Sequence, residues 1–259
     1  MSIEKKRLFL LDMDGTIYLG NRLFEHSLDF LSKIKQMGAN YLFFTNNSSK
    51  SIEDYIKKLY NMGIDADYSQ IISSTTVTIS YLLNKYGKQP IYAMGTAAFC
   101  SELSKGGLNI ESHTDTKIAS FVMGFDTELS FKKLEDACIL LGRGVDYIAT
   151  NCDLLCPTEY GYVPDCGSIA QILKNATGRE PLFMGKPSPH MVDLALERLG
   201  CSKQETILIG DRLYTDIACG IAAGIDTGLV LSGESKPEDL DTSLHKPTYV
   251  FGDIGDILA

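Results

Sequence analysis

The sequence of 259 residues lacks a block of basic residues and a hydrophobic run long enough to span a membrane. Its 24 Lys and Arg residues are outnumbered by 33 Asp and Glu residues, and the formal net charge is -9. A chain of this charge repels a polyanion, so we do not expect nucleic acid as a partner. No apolar run approaches the roughly 20 residues of a membrane-spanning helix, so we do not expect a membrane partner either.

The sequence also lacks any Cys-x-x-Cys pair, although it contains seven cysteines. An odd number of scattered cysteines is typical of reduced thiols rather than of a disulfide framework. Near the N-terminus, Asp12 interrupts the apolar run from Leu8 to Leu11, too early for the apolar region of a signal peptide. We therefore expect the protein to work in the cytoplasm.

Hydrophobic residues make up 44% of the chain, enough for a core of ordinary size. They form short β-rich runs that alternate with helix-period segments, and the runs are continuous, which is typical of strands buried on both faces of a parallel sheet. Four runs predict strands at Arg7–Leu11, Asn40–Phe44, Thr206–Ile209 and Thr227–Leu231. Helices are predicted at Ser27–Met37, Ser51–Met62 and Pro189–Leu199. The pattern predicts an α/β fold with a mostly parallel sheet.

The middle of the chain, from about Tyr81 to Met184, has a different pattern and is a candidate for an inserted domain. Strands are predicted there at Ile91–Met94, Ile118–Gly124 and Val145–Thr150, and helices at Thr96–Leu103 and Phe131–Leu141. A turn-rich stretch from Pro157 to Gly167 follows, with Glu159, Tyr160, Tyr162 and Asp165. That stretch either closes over a ligand or forms a plain surface hairpin.

Polar groups follow four predicted strands of the outer segments. In chain order they are Asp12 and Asp14, then Thr45 and Asn46, then Lys186 after Leu182–Gly185, then Asp211 after Thr206–Ile209. In open parallel sheets, ligands bind at the carboxyl ends of the strands, so we expect these side chains to converge on one crevice.

This set of groups suits a phosphate monoester as ligand. Asp12 and Asp211 offer Mg²⁺ the hard oxygen ligands that it prefers. An ionised Asp12 can attack phosphorus in line and form an acyl phosphate. Asp14 lies two residues further along an extended segment, so it faces the same crevice and is the candidate general acid and base. That role requires a pKa raised by neighbouring carboxylates.

Thr45, Asn46 and Lys186 are candidates for holding the transferring phosphoryl oxygens. Asp216, one helical turn beyond Asp211, is a candidate for orienting the metal ligands. Taken singly, Asp216 can interact with a helix N-terminus and Lys186 can be a solvated loop lysine. The joint occurrence of all these groups, in order, favours a functional site.

These motifs resemble those of the haloacid dehalogenase superfamily of aspartate-nucleophile phosphatases. The segments that correspond to its four motifs are Asp12-Met13-Asp14-Gly15-Thr16, Thr45, Lys186 and Gly210-Asp211-Arg212-Leu213-Tyr214-Thr215-Asp216. The segments Thr45-Asn46-Asn47-Ser48-Ser49 and Gly185-Lys186-Pro187-Ser188-Pro189 resemble the NagD-like, 4-nitrophenylphosphatase-type subfamily. Asp14 argues against the dehalogenase branch, which lacks an acid and base at that place.

The resemblance covers essentially the whole chain and implies a Rossmann-like, three-layer core with a parallel sheet, formed by residues 1–79 and 185–259. It implies a smaller α/β cap domain inserted at residues 80–184. It also implies that Asp12, the backbone carbonyl of Asp14 and Asp211 bind Mg²⁺, and that Thr45, Asn46 and Lys186 hold phosphate.

The implied substrate is a small phosphorylated metabolite: a phosphosugar, phosphoglycolate or a nucleoside monophosphate. A homodimer through the cap is compatible with the resemblance. One departure is Cys152, where relatives usually carry proline, and it leaves the substrate preference open.

Three alternatives remain open from the sequence. A phosphotransferase would pass the phosphoryl group from the aspartate to a sugar hydroxyl. A signalling receiver domain uses similar groups, but it carries an adjacent acidic pair on a different strand from the phosphorylated aspartate, whereas Asp12 and Asp14 follow one strand. A catalytically idle phosphate-binding protein is the third, and the intact pair of Asp12 and Asp14 argues against it.

Overall fold

The structure, a computed structural model, describes residues 2–158 and 161–258. Glu159 and Tyr160 of the turn-rich stretch lie outside the described residues. The strands, in chain order, are β1 (Leu8–Asp12), β2 (Tyr18–Leu19), β3 (Arg22–Leu23), β4 (Asn40–Thr45), β5 (Ile71–Ser73), β6 (Pro90–Met94), β7 (Asn109–Glu111), β8 (Ser120–Met123), β9 (Asp146–Ala149), β10 (Leu155–Thr158), β11 (Gly161–Pro164), β12 (Leu182–Phe183), β13 (Thr206–Gly210), β14 (Asp226–Val230) and β15 (Tyr249–Phe251).

The helices are α1 (Ser27–Gln36), α2 (Ile52–Asn61), α3 (Ser74–Tyr86), α4 (Ala97–Lys105), α5 (Phe131–Gly142), α6 (Cys166–Thr177), α7 (His190–Leu199), α8 (Ala218–Ala223) and α9 (Asp239–Thr242). None of the helices in the described ranges is both long and apolar enough to cross a bilayer.

The chain divides into two compact units. One holds the residues up to Thr45, Ile52–Ile72 and those from Lys186 onward, and the other holds Asn46–Ser51 and Ser73–Gly185. This division differs from the predicted boundaries because α3 packs against α4 and because the segment 46–51 bonds within the second unit. Ser48 Oγ lies 2.8 Å from Thr150 Oγ1 and accepts the Phe125 N–H at 2.8 Å.

The first unit is built on a six-stranded sheet with the order β15-β14-β13-β1-β4-β5. Its central strand β1 pairs in parallel with β13 and β4, and β14 and β15 continue the parallel pairing beyond β13. The register aligns Leu11 with Ile209 on one side and with Phe43 on the other. The carboxyl ends of β1, β4 and β13 therefore lie at the same edge.

The core of this unit forms as the sequence predicts. Leu8 to Leu11 are fully buried, because β1 is covered on both faces of the sheet. Helix α2 buries Ile52, Tyr55 and Leu59, residues spaced three and four apart on one helical face. Ile52, Tyr55 and Leu59 join Phe9 and Leu11 in one hydrophobic cluster. The predicted Rossmann-like α/β fold is confirmed.

The second unit contains a parallel five-stranded sheet with the order β12-β9-β8-β6-β7, together with an antiparallel hairpin of β10 and β11. Its own core includes Phe121, Leu140 and Leu173. One sequence-based expectation is wrong here. The strand before Lys186 pairs with β9 of this sheet, so Lys186 does not follow a strand of the first sheet. A short apolar run does not reveal which sheet it joins.

Candidate active site

Three carboxylates come together at the carboxyl edge of the first sheet. Asp12 is the last residue of β1, and Asp211 directly follows β13. Asp216 lies in a π-helical turn, Leu213–Ile217. One oxygen from each of the three carboxylates lies within 4.8 Å of the others. The structure thus brings together Asp12 and Asp211, whose convergence was predicted, and places Asp216 with them.

Lys186 lies between two of these carboxylates. Its Nζ donates to Asp12 Oδ1 at 2.5 Å and to Asp216 Oδ1 at 2.6 Å. The side chains of Lys186 and Asp216 are 3% and 1% exposed, and that of Asp12 is 13% exposed. The second oxygen of Asp216 accepts the backbone N–H of Arg212 at 3.1 Å. Lys186 is therefore a buried cation inside an acidic cluster and not a solvated loop lysine.

Burial dominates the electrostatics of this cluster. It raises the pKa of Asp12 well above the ordinary carboxyl range, with the charge of Lys186 opposing and those of Asp216 and Asp211 reinforcing the rise. Burial, then the charge of Asp216, raises the pKa of Asp211 to about 7. For Lys186, burial acts to lower the pKa, but the charges of Asp12 and Asp216 outweigh it and the pKa is raised. The cluster therefore favours a further cation that would keep its carboxylates ionised.

Glycines allow the chain to approach these carboxylates closely. A Cβ on Gly15 would lie 2.3 Å from Asp211 Oδ2, and a Cβ on Gly233 would lie 2.0 Å from the same oxygen. A Cβ on Gly210 would lie 2.3 Å from Asp216 Cγ. Gly15 also has a positive φ of +94°, which only glycine adopts at low cost. These positions have no room for a side chain.

The two carboxylate oxygens of Asp211 have different surroundings. Oδ2 accepts the backbone N–H of Glu234 at 2.7 Å. Oδ1 is buried and has no hydrogen-bond partner among the described residues. A buried carboxylate oxygen without a donor is costly unless a cation binds it. The donor set, all hard oxygens, fits Mg²⁺.

Asp14 lies beside the cluster in a more open position. Met13 is buried in the core, and the Asp14 side chain is 51% exposed. Lys58 Nζ lies 3.8 Å from Asp14 Oδ2 and 3.8 Å from the centre of the Tyr18 ring. Met13 thus turns into the core as expected, and Asp14 is exposed with a cation next to it. That Asp14 faces the same crevice as Asp12 stays a prediction.

The two remaining predicted residues, Thr45 and Asn46, belong to different compact units. Thr45 ends β4 and directly follows Phe44, the residue that pairs with Asp12. Asn46 belongs to the second unit, where its Nδ2 donates to Asp153 Oδ2 at 2.8 Å. Its backbone carbonyl accepts from Ser74 Oγ at 2.6 Å and from Asn151 Nδ2 at 2.8 Å. The predicted phosphate-binding role of Asn46 stays a prediction.

Comparison with known proteins decides the family. Residues 9–109 match the family described as haloacid dehalogenase-like hydrolase, and residues 183–257 match the HAD-hydrolase-like family. An acid sugar phosphatase of Staphylococcus aureus is 33% identical over 257 residues, which cover 99% of this chain and 98% of that protein. The chain belongs to the haloacid dehalogenase-like hydrolases. The predicted resemblance to this family is confirmed.

Solved structures place the hydrolase within the family. A 4-nitrophenylphosphatase from Thermotoga maritima is 40% identical with a TM-score of 0.94, over 99% of this chain and 98% of that chain. A glycerol phosphate phosphatase from Mycobacterium tuberculosis, in complex with magnesium, is 28% identical with a TM-score of 0.93, over 99% of this chain and 78% of that chain. The protein is thus a phosphatase of the haloacid dehalogenase type, and the receiver-domain alternative is wrong.

Some residues around the carboxylates of this hydrolase were not predicted. They lie in the loop after β14, where Gly233 and Glu234 contact Asp211. The signal was present, because polar residues follow the predicted strand Thr227–Leu231 as they follow the other strands of the sheet. The contact of Lys58 with Asp14 could not be predicted, because nothing in the sequence distinguishes Lys58 from other lysines on predicted helices.

Proposed function

We propose that the protein is a magnesium-dependent phosphomonoester hydrolase that forms an aspartyl phosphate on Asp12. The observation that carries this proposal is the cluster of Asp12, Asp211 and Asp216 around Lys186 at the carboxyl edge of the sheet. Asp12 ends β1, a strand in the middle of the sheet. Its side chain is mostly buried and lies next to the cation of Lys186, which suits a carboxylate nucleophile.

The proposed reaction has two displacements at phosphorus. An oxygen of Asp12 bonds to phosphorus while the ester P–O bond breaks, and Asp14 gives a proton to the departing alkoxide. Asp14 then takes a proton from water, and that water displaces Asp12 from phosphorus to release inorganic phosphate. The exposure of Asp14 supports this role, because both the leaving group and the water must reach it.

We propose that Asp12, the backbone carbonyl of Asp14 and Asp211 hold Mg²⁺, with Asp216 orienting the cluster through Lys186. The buried, unbonded Oδ1 of Asp211 supports this assignment. When bound, the ion supplies positive charge that keeps the carboxylates ionised and offsets the charge that develops on the phosphoryl oxygens. Lys186 and Thr45 are proposed to hold those oxygens, and the same role for Asn46 stays a prediction.

The proposed substrate is a small phosphorylated metabolite, with a sugar phosphate as the first choice among phosphosugars, phosphoglycolate and nucleoside monophosphates. The similarity to an acid sugar phosphatase, to a 4-nitrophenylphosphatase and to a glycerol phosphate phosphatase supports this range. The seven free cysteines support a reducing compartment, so we propose a cytoplasmic location. A homodimer stays a prediction.

Phosphate release from a panel of phosphate monoesters tests the proposal. The wild type and Asp12→Asn are each assayed with Mg²⁺ and with EDTA. Asparagine keeps the shape of the side chain but removes the charge of the nucleophile. We expect turnover that needs Mg²⁺ and is lost in Asp12→Asn, and the ranking of kcat/KM then identifies the substrate class. Turnover that survives in Asp12→Asn contradicts the assignment of the nucleophile.

The phosphotransferase alternative needs its own assay. The same reactions are run with an added sugar alcohol as acceptor, and both free phosphate and phosphorylated acceptor are measured. Simple hydrolysis predicts that free phosphate is the main product. A preference for phosphorylated acceptor would contradict it.

A further inference from the structure

The loop Ser232–Ser235, which follows β14, contacts the side chain and the backbone of Asp211. The backbone N–H of Glu234 donates to Asp211 Oδ2 at 2.7 Å, and the backbone N–H of Ser235 donates to the Asp211 carbonyl at 3.2 Å. Ser232 Oγ donates to the Gly15 carbonyl at 2.9 Å. Gly233 packs so closely on Asp211 that no side chain fits there. The position of this loop therefore sets the direction of the Asp211 carboxylate.

The side chain of Glu234 ties the loop to the segment that carries Asp211. Its Oε2 lies 2.9 Å from Arg212 Nε, and its Oε1 accepts from Tyr214 Oη at 2.8 Å. Arg212 and Tyr214 are the first and third residues after Asp211. Each carboxylate oxygen of Glu234 thus has a separate partner, and both partners belong to the segment that directly follows Asp211.

We propose that Glu234 is a positioning residue for magnesium binding: its side chain holds the loop whose backbone N–H engages one oxygen of Asp211 and leaves the other free for the cation. This inference rests on the proposed magnesium site. The hydrogen bond from the Glu234 N–H occupies Oδ2, and Oδ1 is the buried oxygen without a hydrogen-bond partner among the described residues. Groups that orient a metal ligand typically change metal affinity tenfold or more when they are removed.

Removal of the Glu234 side chain is expected to change the loop but not the stability of the whole fold. The Glu234 side chain is 40% exposed, and exposed ion pairs contribute little to the free energy of unfolding. Removal of this side chain should therefore leave the metal-free fold intact while loosening the loop. A residue with a merely structural role would instead lower the stability of the metal-free protein.

The test is Mg²⁺ binding by isothermal titration calorimetry, on the full chain without substrate, for the wild type, Glu234→Ala, Glu234→Gln and Glu238→Ala. Glu238 is the matched control, because it is an exposed glutamate shortly after the loop and makes no side-chain capping bond to α9. We expect Glu234→Ala to weaken Mg²⁺ binding about tenfold and Glu234→Gln to weaken it less, since the amide keeps an acceptor for Tyr214. Glu238→Ala should bind like the wild type.

Two further readouts complete the test. The melting temperatures of the four proteins in EDTA should agree, and kcat of Glu234→Ala should approach the wild-type value once Mg²⁺ is raised about tenfold. A wild-type affinity of Glu234→Ala for Mg²⁺ would overturn this inference and leave the proposed function intact. If Glu234→Ala binds Mg²⁺ more weakly and also melts at a lower temperature in EDTA, the inference would be overturned as well, because a destabilised fold would then explain the weaker binding. A wild type that binds no Mg²⁺ would overturn the proposed function together with this inference.

Discussion

At the scale of single residues, the buried Lys186 is the feature that makes the acidic cluster possible. Asp12, Asp211 and Asp216 are each taken from water, and like charges this close repel one another. Lys186 donates to two of them and is itself almost fully buried. Removing one partner of such a group leaves an uncompensated buried charge, which is far more costly than losing an exposed ion pair.

Lys186→Met should lower the free energy of unfolding of the metal-free protein by about 3–5 kcal/mol at neutral pH or above. Urea denaturation followed by circular dichroism in EDTA measures this change. Lys57→Met is the matched control, because Lys57 is an exposed lysine on α2, and it should change the stability by less than about 0.5 kcal/mol. Equal stabilities of the two variants would contradict the account of Lys186.

At the scale of secondary-structure elements, the carboxyl edge of the first sheet depends on close packing of α8, the helix after the π-helical turn, against β14. A Cβ on Gly220 of α8 would lie 2.2 Å from Thr227 Cγ2 of β14. Thr227 cannot easily move, since its backbone N–H and its hydroxyl both bond to Thr248 at 3.1 and 3.0 Å. The segment Leu213–Ile217, which carries Asp216, leads directly into this helix.

Gly220→Ala should therefore destabilise the protein by about 1–3 kcal/mol, despite the better helix propensity of alanine. Gly142→Ala is the control, because Gly142 is also helical but its added Cβ meets nothing within 4 Å. That variant should be neutral or more stable by up to about 1 kcal/mol. Thermal unfolding of both variants measures the difference, and a Gly220→Ala protein as stable as Gly142→Ala would contradict the packing argument.

The sequence predicted the elements of the first sheet because their buried apolar runs leave a local pattern. The run Arg7–Leu11 appears as β1, shifted by one residue, and the run Thr206–Ile209 appears as β13, longer by one residue at its end. The edge strands β5 and β7, three residues long each, left no such pattern. The strand before Lys186 was assigned to the wrong sheet, because strand pairing depends on tertiary contacts that a run of two apolar residues cannot encode.

The candidate site shows the same limit. Asp12 and Asp211 could be predicted together, since strand ends in a parallel sheet share one edge. That argument does not explain Lys186, because the strand before it belongs to the other sheet, or Asp216, which lies in the turn Leu213–Ile217. The loop with Glu234 could have been located from the polar residues after the predicted strand Thr227–Leu231, but its contacts with Asp211 could not have been predicted, because they depend on backbone N–H groups that carry no residue-specific signal.

At the scale of the whole molecule, the raised pKa values of buried carboxylates couple the stability of the protein to pH. Burial raises the pKa of Asp12 well above its ordinary range and that of Asp211 to about 7. In the unfolded chain both groups titrate at about 4. Between about pH 4 and pH 7 the folded protein therefore binds more protons than the unfolded chain, so the free energy of unfolding falls as the pH rises.

On the proposed assignment of the metal site, Mg²⁺ binds the ionised carboxylates, so it should stabilise the protein more where those groups have lost their protons. We expect the rise in melting temperature on adding MgCl₂ to be larger at about pH 8 than at about pH 5. Scanning fluorimetry at matched ionic strength measures both shifts, with Asp211→Asn as the control that should lose most of the rise. Equal shifts at both pH values would contradict ion binding by these carboxylates.

The central claim is that the phosphoryl group is carried by Asp12 during turnover. The most direct measurement is a rapid acid quench of the wild type, mixed with Mg²⁺ and a turnover substrate, followed by proteolysis and mass spectrometry of the peptide that contains Asp12. The account predicts a phosphoryl group on Asp12 that appears within a turnover, disappears as substrate is consumed and is absent from Asp12→Asn. Phosphate release with no phosphorylated protein at any quench time, or a phosphoryl group on another residue, would contradict it.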